Sequence, residues 1–199
     1  MFDRTAILLL ASGLSSRFGA GDKLMADLDG RPVLARAASA LANRLLAKRV
    51  AVVGTHQNAR RTCLEGLGFE SVLNPAPEDG QGRTLAIGSQ YVRDATDADS
   101  VLILLGDMPF VTDKHLEGLA EALSQGAGAV MSETRGRLSP PALFRRDHFN
   151  QLAAVTGDRG ARRIFERLPT RQVVAAAPDL LMDIDSGLDL QRAEELLNG

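Results

Sequence analysis

The sequence has one cysteine and no tryptophan, and these shortages remove whole classes of chemistry. A lone thiol, Cys63, excludes an internal disulfide and any cysteine-rich zinc site. Aromatic residues make up 4% of the chain, too few for a platform that stacks nucleic-acid bases. A formal net charge of −2 leaves no basic excess for a phosphate backbone, so nucleic acid is not an expected partner. No apolar run approaches the roughly 18 residues needed to span a bilayer, so no membrane partner is expected. Met1-Phe2-Asp3-Arg4 runs straight into an apolar stretch with no small-residue cleavage site, and the expected location is the cytoplasm. The serines form no Gly-x-Ser-x-Gly elbow, which leaves acyl-transfer hydrolysis without an anchor. His56, His115 and His148 stand singly and are expected to be solvated, and Cys63 is expected to be an unreactive helical thiol.

What remains is an ordinary globular composition, 45% apolar and 24% charged over 199 residues, enough to bury a core as one domain spanning 1–199. Short Val-, Ile- and Leu-rich runs at 5–11, 49–54, 100–106 and 128–131 read as buried parallel strands. Between them, 32–46, 57–67, 83–92 and 113–123 repeat apolar residues at three- and four-residue spacing, which predicts helices, with Pro32 suited to a first turn. Strand and helix in alternation predict an α/β fold: a Rossmann-like three-layer sandwich with a mostly parallel sheet. After residue 133 the rhythm loosens. Pro140-Pro141 interrupts the chain, Gly157 and Gly160 mark a turn before a helix at 161–168, and a strand at 171–174, an apolar run at 180–184 and a helix at 188–197 close it.

Ligands of open α/β sheets bind where the strands end, so the loops there are read most closely. After the first strand come Ala11-Ser12-Gly13-Leu14-Ser15-Ser16-Arg17, then Gly21-Asp22-Lys23. Small residues let backbone N–H groups approach a triphosphate, and the two cations suit departing pyrophosphate. The same residues also read as a mobile surface loop. Phe18 breaks a Walker A pattern counted from Gly13, and Ser15 breaks the dinucleotide fingerprint. Asp107, between Gly106 and Met108-Pro109, reads as a ligand for a hard cation or as a plain turn. Asp183 and Asp185 project to one face if their stretch is a strand; the alternative is a helix N-cap at Asp185 or Ser186. Gly80-Gln81-Gly82-Arg83-Thr84-Leu85 can hold a base or ribose, with Thr84 supplying a hydroxyl, or can be a flexible connection.

Taken jointly, these loops resemble the MobA-like nucleotidyltransferases, particularly the molybdenum cofactor cytidylyltransferases. The residues that carry the likeness are Leu10-Ala11-Ser12-Gly13-Leu14-Ser15-Ser16-Arg17-Phe18-Gly19 to Lys23, Gly30-Arg31-Pro32-Val33-Leu34, Asn74-Pro75, Gly80 to Thr84, and Gly106-Asp107-Met108-Pro109. Pro141-Ala142-Leu143-Phe144, Gly157-Asp158-Arg159-Gly160-Ala161-Arg162 and Asp183-Ile184-Asp185 follow in the family's order. The resemblance implies that Leu10, Ala11, Ser12, Gly13, Gly82, Thr84 and Gly106 bind the nucleotide. It also implies that Arg17, Lys23 and Asp107 are catalytic and that Asp107 with Asp185 holds Mg²⁺. Residues 140–144 and 157–162 would border the acceptor.

Ser12, Phe18, Thr84 and Ser186-Gly187 depart mildly from the family pattern, where Ala, Met, Ser and Thr-Pro are usual. The first loop looks closer to the cytidine type, although the Gly21-Asp22-Lys23 spacing also occurs among guanine-using relatives. The implied reaction moves CMP from CTP onto the phosphate of molybdopterin and releases pyrophosphate, with a molybdoenzyme as the receiving partner. The alternatives are a guanylyl- or other nucleotidyltransferase with a different phosphorylated acceptor, a non-catalytic molybdenum cofactor chaperone, and an oxidoreductase accessory protein with a drifted site.

Overall fold

Each apolar run set between amphipathic stretches becomes a buried strand, because a strand covered on both faces has no solvent side to fill with polar residues. In chain order the elements are β1 (Thr5–Leu10), β2 (Asp27–Leu28), β3 (Arg31–Pro32), α1 (Val33–Ala38), β4 (Lys48–Gly54), α2 (Asn58–Gly66), β5 (Glu70–Asn74) and α3 (Gln81–Ala95). They continue with β6 (Ser100–Leu105), α4 (Asp113–Ser124), β7 (Ala129–Thr134), β8 (Arg137–Arg145), α5 (Phe149–Ala153), α6 (Gly160–Phe165), β9 (Arg171–Ala175) and α7 (Gly187–Asn198). The structure, a computed structural model, describes residues 2–19, 21–157 and 160–198. Among them, no helix is long and apolar enough to cross a membrane.

One sheet has the order β5-β4-β1-β6-β8-β7-β9, and β2 and β3 pair separately. Within the sheet only β8 runs against its neighbours, β6 and β7. Side chains along β1 alternate between two cores. Ile7 and Leu9 join Leu34, Leu64, Leu116 and Leu119 of α1, α2 and α4; Leu8 and Leu10 join Leu85, Phe149, Leu152 and Phe165 of α3, α5 and α6. The result is the expected three-layer, mostly parallel α/β sandwich.

The topology also fixes where a ligand belongs. From β1 the chain moves to β4 and β5 on one side, then returns to lay β6 on the other. Leu10 and Leu105 pair at the ends of β1 and β6, so the order reverses there, at the position that opens a crevice in sheets of this kind.

Several elements differ from the sequence reading. The helix expected over 32–46 ends at Ala38, and Pro32 is its N-cap rather than its first turn. Leu41, fully buried, turns left-handed at φ 59°. Arg49 of β4 then donates to the carbonyls of Leu41, Ala42 and Arg44, so the tertiary structure satisfies the turn that ends the helix. Pro140-Pro141 does not interrupt the chain but lies inside β8. The β7–β8 register jumps there from Met131↔Ala142 to Ser132↔Ser139, and proline, with no N–H to offer a ladder, fits such an irregularity. Edge strand β5 and the five-residue α5 carry too little apolar pattern to be seen. The run at 180–184 is a 3₁₀ turn (Pro178–Leu181) followed by non-strand chain.

His115, expected in solvent, is buried on α4, and its Nε2 lies 2.8 Å from the Ser132 hydroxyl, which itself donates to the Pro141 carbonyl. Burial pushes its pKa below the ordinary histidine value. The folded protein thus keeps the ring neutral where the unfolded chain has already taken up a proton. The stability this contributes is complete above about pH 6.5 and is lost as pH falls below it. The melting temperature should therefore fall from pH 7 to pH 5, and fall less steeply in His115→Gln. Equal slopes in the two proteins would contradict this role.

Candidate active site

The loop that follows β1 is held from below by α2. Arg60, 3% exposed in its side chain, donates from Nη1 to the carbonyls of Ala11 and Gly13, both at 2.7 Å. Its Nε and Nη2 reach both Asp22 oxygens at 2.7 and 2.6 Å, and Nη2 also meets the Ser15 hydroxyl at 3.0 Å. Gln57 donates to the carbonyls of Ser12 and Gly13 at 3.1 and 3.2 Å, while its own oxygen accepts from the Gly54 amide. Among the described residues, the amides of Ser12, Gly13 and Leu14 find no internal acceptor.

A second tie runs to α3. Ser12, Asn74 and Thr84 are all buried; the Ser12 and Thr84 hydroxyls meet at 2.6 Å, and the Asn74 amide donates to both. Thr84 also donates to the Gly80 carbonyl. The Thr84 hydroxyl, expected to serve a ligand, takes part in this internal network. Gly82 is buried against another loop: an added Cβ would lie 2.0 Å from the Gly157 carbonyl oxygen, so only glycine lets the two backbones approach.

The charges meet at the sheet's reversal point. Gly106 donates to the Leu10 carbonyl at 3.0 Å, and an added Cβ would lie 2.9 Å from Leu34 Cδ1, so the Leu34 side chain would have to give way. Asp107, next in sequence, accepts at its backbone carbonyl from the Ile184 amide at 3.0 Å, and this bond brings the 183–185 segment alongside. Ser186 and Asp189 bond reciprocally at the start of α7, which leaves the Asp185 carboxylate free of capping duty. Lys23, with an 11% exposed side chain, places Nζ 2.6 Å from Asp107 and 2.8 Å from Asp185. Arg17, 78% exposed, adds a contact of 3.0 Å to the other Asp185 oxygen.

Burial alone would lower the Lys23 pKa, but Asp107 and Asp185 outweigh it and hold the ammonium above the usual lysine range. The Asp183 pKa is raised as well: burial, then the negative Asp107 and Asp185, favour its neutral form. Among the described residues no three His, Cys, Asp or Glu side chains gather into a metal site. Asp107 and Asp185 nevertheless supply hard oxygens, and two carboxylates suit Mg²⁺ once substrate phosphate and water complete its shell.

Two cavities adjoin this cluster. One, of about 230 Å³, is bordered by Leu10, Ala11, Ser12, Gly13, Lys23, Thr84 and Asp107, together with Leu14, Gln81 and Glu78. The other, of about 540 Å³, is bordered by Arg17, Lys23, Asp107 and Asp185, and by Pro140, Gly160, Arg162 and Asp183. Gly82 and Gly106, expected at the nucleotide, border neither. Ala142, Leu143 and Phe144, expected on the acceptor side, are in the sheet core. Asp158 and Arg159 lie outside the described residues. Arg60, Gln57 and Gln81 carry no motif. The one available signal was that Arg60 falls four residues before Leu64, on the buried stripe of α2, where a solvated cation has no place.

The model of the MobA-like NTP transferase domain matches residues 7–173. A probable molybdenum cofactor guanylyltransferase of Natronomonas pharaonis is 26% identical over 211 aligned residues, covering all of both chains. The bifunctional protein GlmU of Rhizobium etli is 29% identical over 133 residues, 65% of this chain, and the chain spans only 29% of that protein's length. A nucleotidyl transferase from Methanothermobacter thermautotroptrophicus superposes with a TM-score of 0.81 at 19% identity, covering 98% of this chain and 99% of that one, which shows the shared fold.

The position of Lys23 gives a test of whether these carboxylates can take a divalent cation. Lys23→Met leaves Asp107 and Asp185 facing each other with no ammonium between them. Mn²⁺ should raise the melting temperature of that variant by roughly 3–5 °C more than it raises that of the unaltered protein, the size of a tenfold gain in affinity. Equal shifts would show that Lys23 and a divalent cation do not share these oxygens.

Proposed function

The chain belongs to the MobA-like NTP transferase family, and we propose that within it this protein transfers a CMP group from CTP to the phosphate of molybdopterin, releasing pyrophosphate. The observation that carries this reading is the Lys23 ammonium, 2.6 and 2.8 Å from Asp107 and Asp185, beside a loop in which the Ser12, Gly13 and Leu14 amides find no internal acceptor among the described residues. In this reading residues 1–199 act as one domain, and its setting is the cytoplasm.

The triphosphate lies along the loop after β1, where the amides of Ser12, Gly13 and Leu14 donate to its oxygens. Lys23 and Arg17 turn from the carboxylates toward the phosphates and offset the charge that grows on the leaving pyrophosphate. An oxygen of the acceptor phosphate forms the new bond to the α-phosphorus as the bond to pyrophosphate breaks, and the bonding pair leaves with pyrophosphate. That oxygen is already anionic, so no general base is needed and the isolated histidines pose no difficulty. Asp107 and Asp185 would hold Mg²⁺, which when bound would supply charge neutralisation on phosphate oxygens. The larger cavity, bordered by Pro140, Gly160 and Arg162, takes the acceptor, and a molybdoenzyme receives the product.

Ala11-Ser12-Gly13 followed by Leu14 supports CTP as the donor. A second reading, GTP with the same site and mechanism, is favoured by the full-length likeness to a probable molybdenum cofactor guanylyltransferase. A chaperone that only carries cofactor would have no use for the assembled Lys23, Arg17 and Asp107.

Pyrophosphate release, measured with each of the four NTPs, Mg²⁺ and molybdenum-loaded molybdopterin, should occur with CTP. Release with GTP alone would reverse the base while keeping the chemistry. Silence with all four in folded protein would overturn the reading. Asp107→Ala should lower turnover at least about 100-fold with an unchanged circular dichroism spectrum. Substantial Mg²⁺-dependent activity in that variant would remove Asp107 from the mechanism.

A further inference from the structure

Arg60 borders neither cavity, yet all five donors of its guanidinium are directed at the loop that does. A trans peptide unit is planar, with its C=O and N–H pointing in opposite directions. Drawing the Ala11 carbonyl down onto Arg60 therefore turns the Ser12 amide away from α2. Drawing down the Gly13 carbonyl does the same for Leu14, and the Gln57 bond to the Ser12 carbonyl does it for Gly13. Three successive amides thus present to one side, and none has an internal acceptor among the described residues. At its other edge Arg60 grips both oxygens of Asp22, which fixes the residue immediately before Lys23.

We infer that Arg60 is a positioning residue for the nucleotide: through the carbonyls of Ala11 and Gly13 and through Asp22 it sets the affinity of the loop for a polyphosphate, without touching it. This rests on the nucleotide reading of the β1 loop proposed above. The role requires a planar fork. Lysine offers three donors from one point and cannot reach two carbonyls and both oxygens of a carboxylate together. Burial adds a constraint, because a cation with a 3% exposed side chain is tolerated only while these partners are in place.

The test uses Arg60→Lys in the full chain, with CTP affinity from calorimetry and KM and kcat from pyrophosphate release. The inference expects KM and Kd for CTP to rise about tenfold, kcat to stay within about threefold, and KM for molybdopterin not to move. A merely structural residue would instead lower the melting temperature and the active fraction with CTP affinity unchanged, and that result in folded Arg60→Lys overturns the inference. If Arg60→Lys does not fold, Gln57→Leu decides. It removes the pull on the Ser12 carbonyl, and an unchanged Kd for CTP would overturn the inference equally. Unaltered protein that binds CTP but releases no pyrophosphate, with weaker binding in the variants, would leave Arg60 in this role and overturn the transferase reading. No binding of any nucleotide would overturn both.

Discussion

The site depends on one buried ammonium. Burying Lys23 to 11% exposure would be costly without partners, and Asp107 and Asp185 would repel one another without a cation between them. Together the three satisfy one another. Asp107 and Asp185 stand 84 and 162 residues beyond Lys23 in the chain, so this contact closes the fold as well as the site. It joins the loop after β1, the end of β6 and the segment before α7. The Ile184–Asp107 backbone bond and the small core of Leu28, Val33, Ile184 and Ala193 hold the last of these in place. The same arrangement leaves one oxygen of each carboxylate occupied by the Lys23 ammonium.

Around that contact, the loop after β1 is tied on two sides. Arg60 and Gln57 take its carbonyls from α2, while Asn74 and Thr84 take the Ser12 hydroxyl from β5 and α3. The polar groups facing inward are consumed by these ties, and the amides facing outward are not. A loop of small residues would otherwise lose much conformational freedom on binding a ligand. Anchored at its carbonyls, it has lost most of that freedom already, which is how preorganisation raises affinity. Close backbone approaches at Gly82 and Gly106 serve the same end: one seats α3 against the loop at Gly157, the other sets Asp107 over the end of β1.

Much of this was legible in the residues. The continuous apolar runs of β1, β4 and β6 announce doubly covered strands, and their order leads to the reversal point where Leu10 meets Leu105. Asp107 and Asp185 were each ambiguous alone, since acid beside glycine also makes turns and caps; at Ser186 and Asp189 a cap does form. Only their place in an ordered set of loops singled them out. The rest failed for identifiable reasons. The first helix stops at Ala38, and the left-handed turn at Leu41 just beyond it is held by Arg49 of β4, which takes the Leu41 carbonyl. The prolines of β8 sit where the register jumps and so escape the rule against proline in strands. Arg60 and His115 are polar residues on buried helix faces, and their partners come from loops and strands that no local pattern connects to them.

In the proposed function a nucleoside triphosphate lies on the β1 loop beside Lys23 and Asp107. Amide hydrogen exchange with and without Mg²⁺ and CTP tests it most directly, because amides with no internal acceptor gain protection only when a ligand supplies one. Exchange should slow at Ser12, Gly13 and Leu14. Unchanged exchange there, with protection confined to another face, such as the cleft that Gln151 of α5 and Ile164 of α6 border, would contradict this placement.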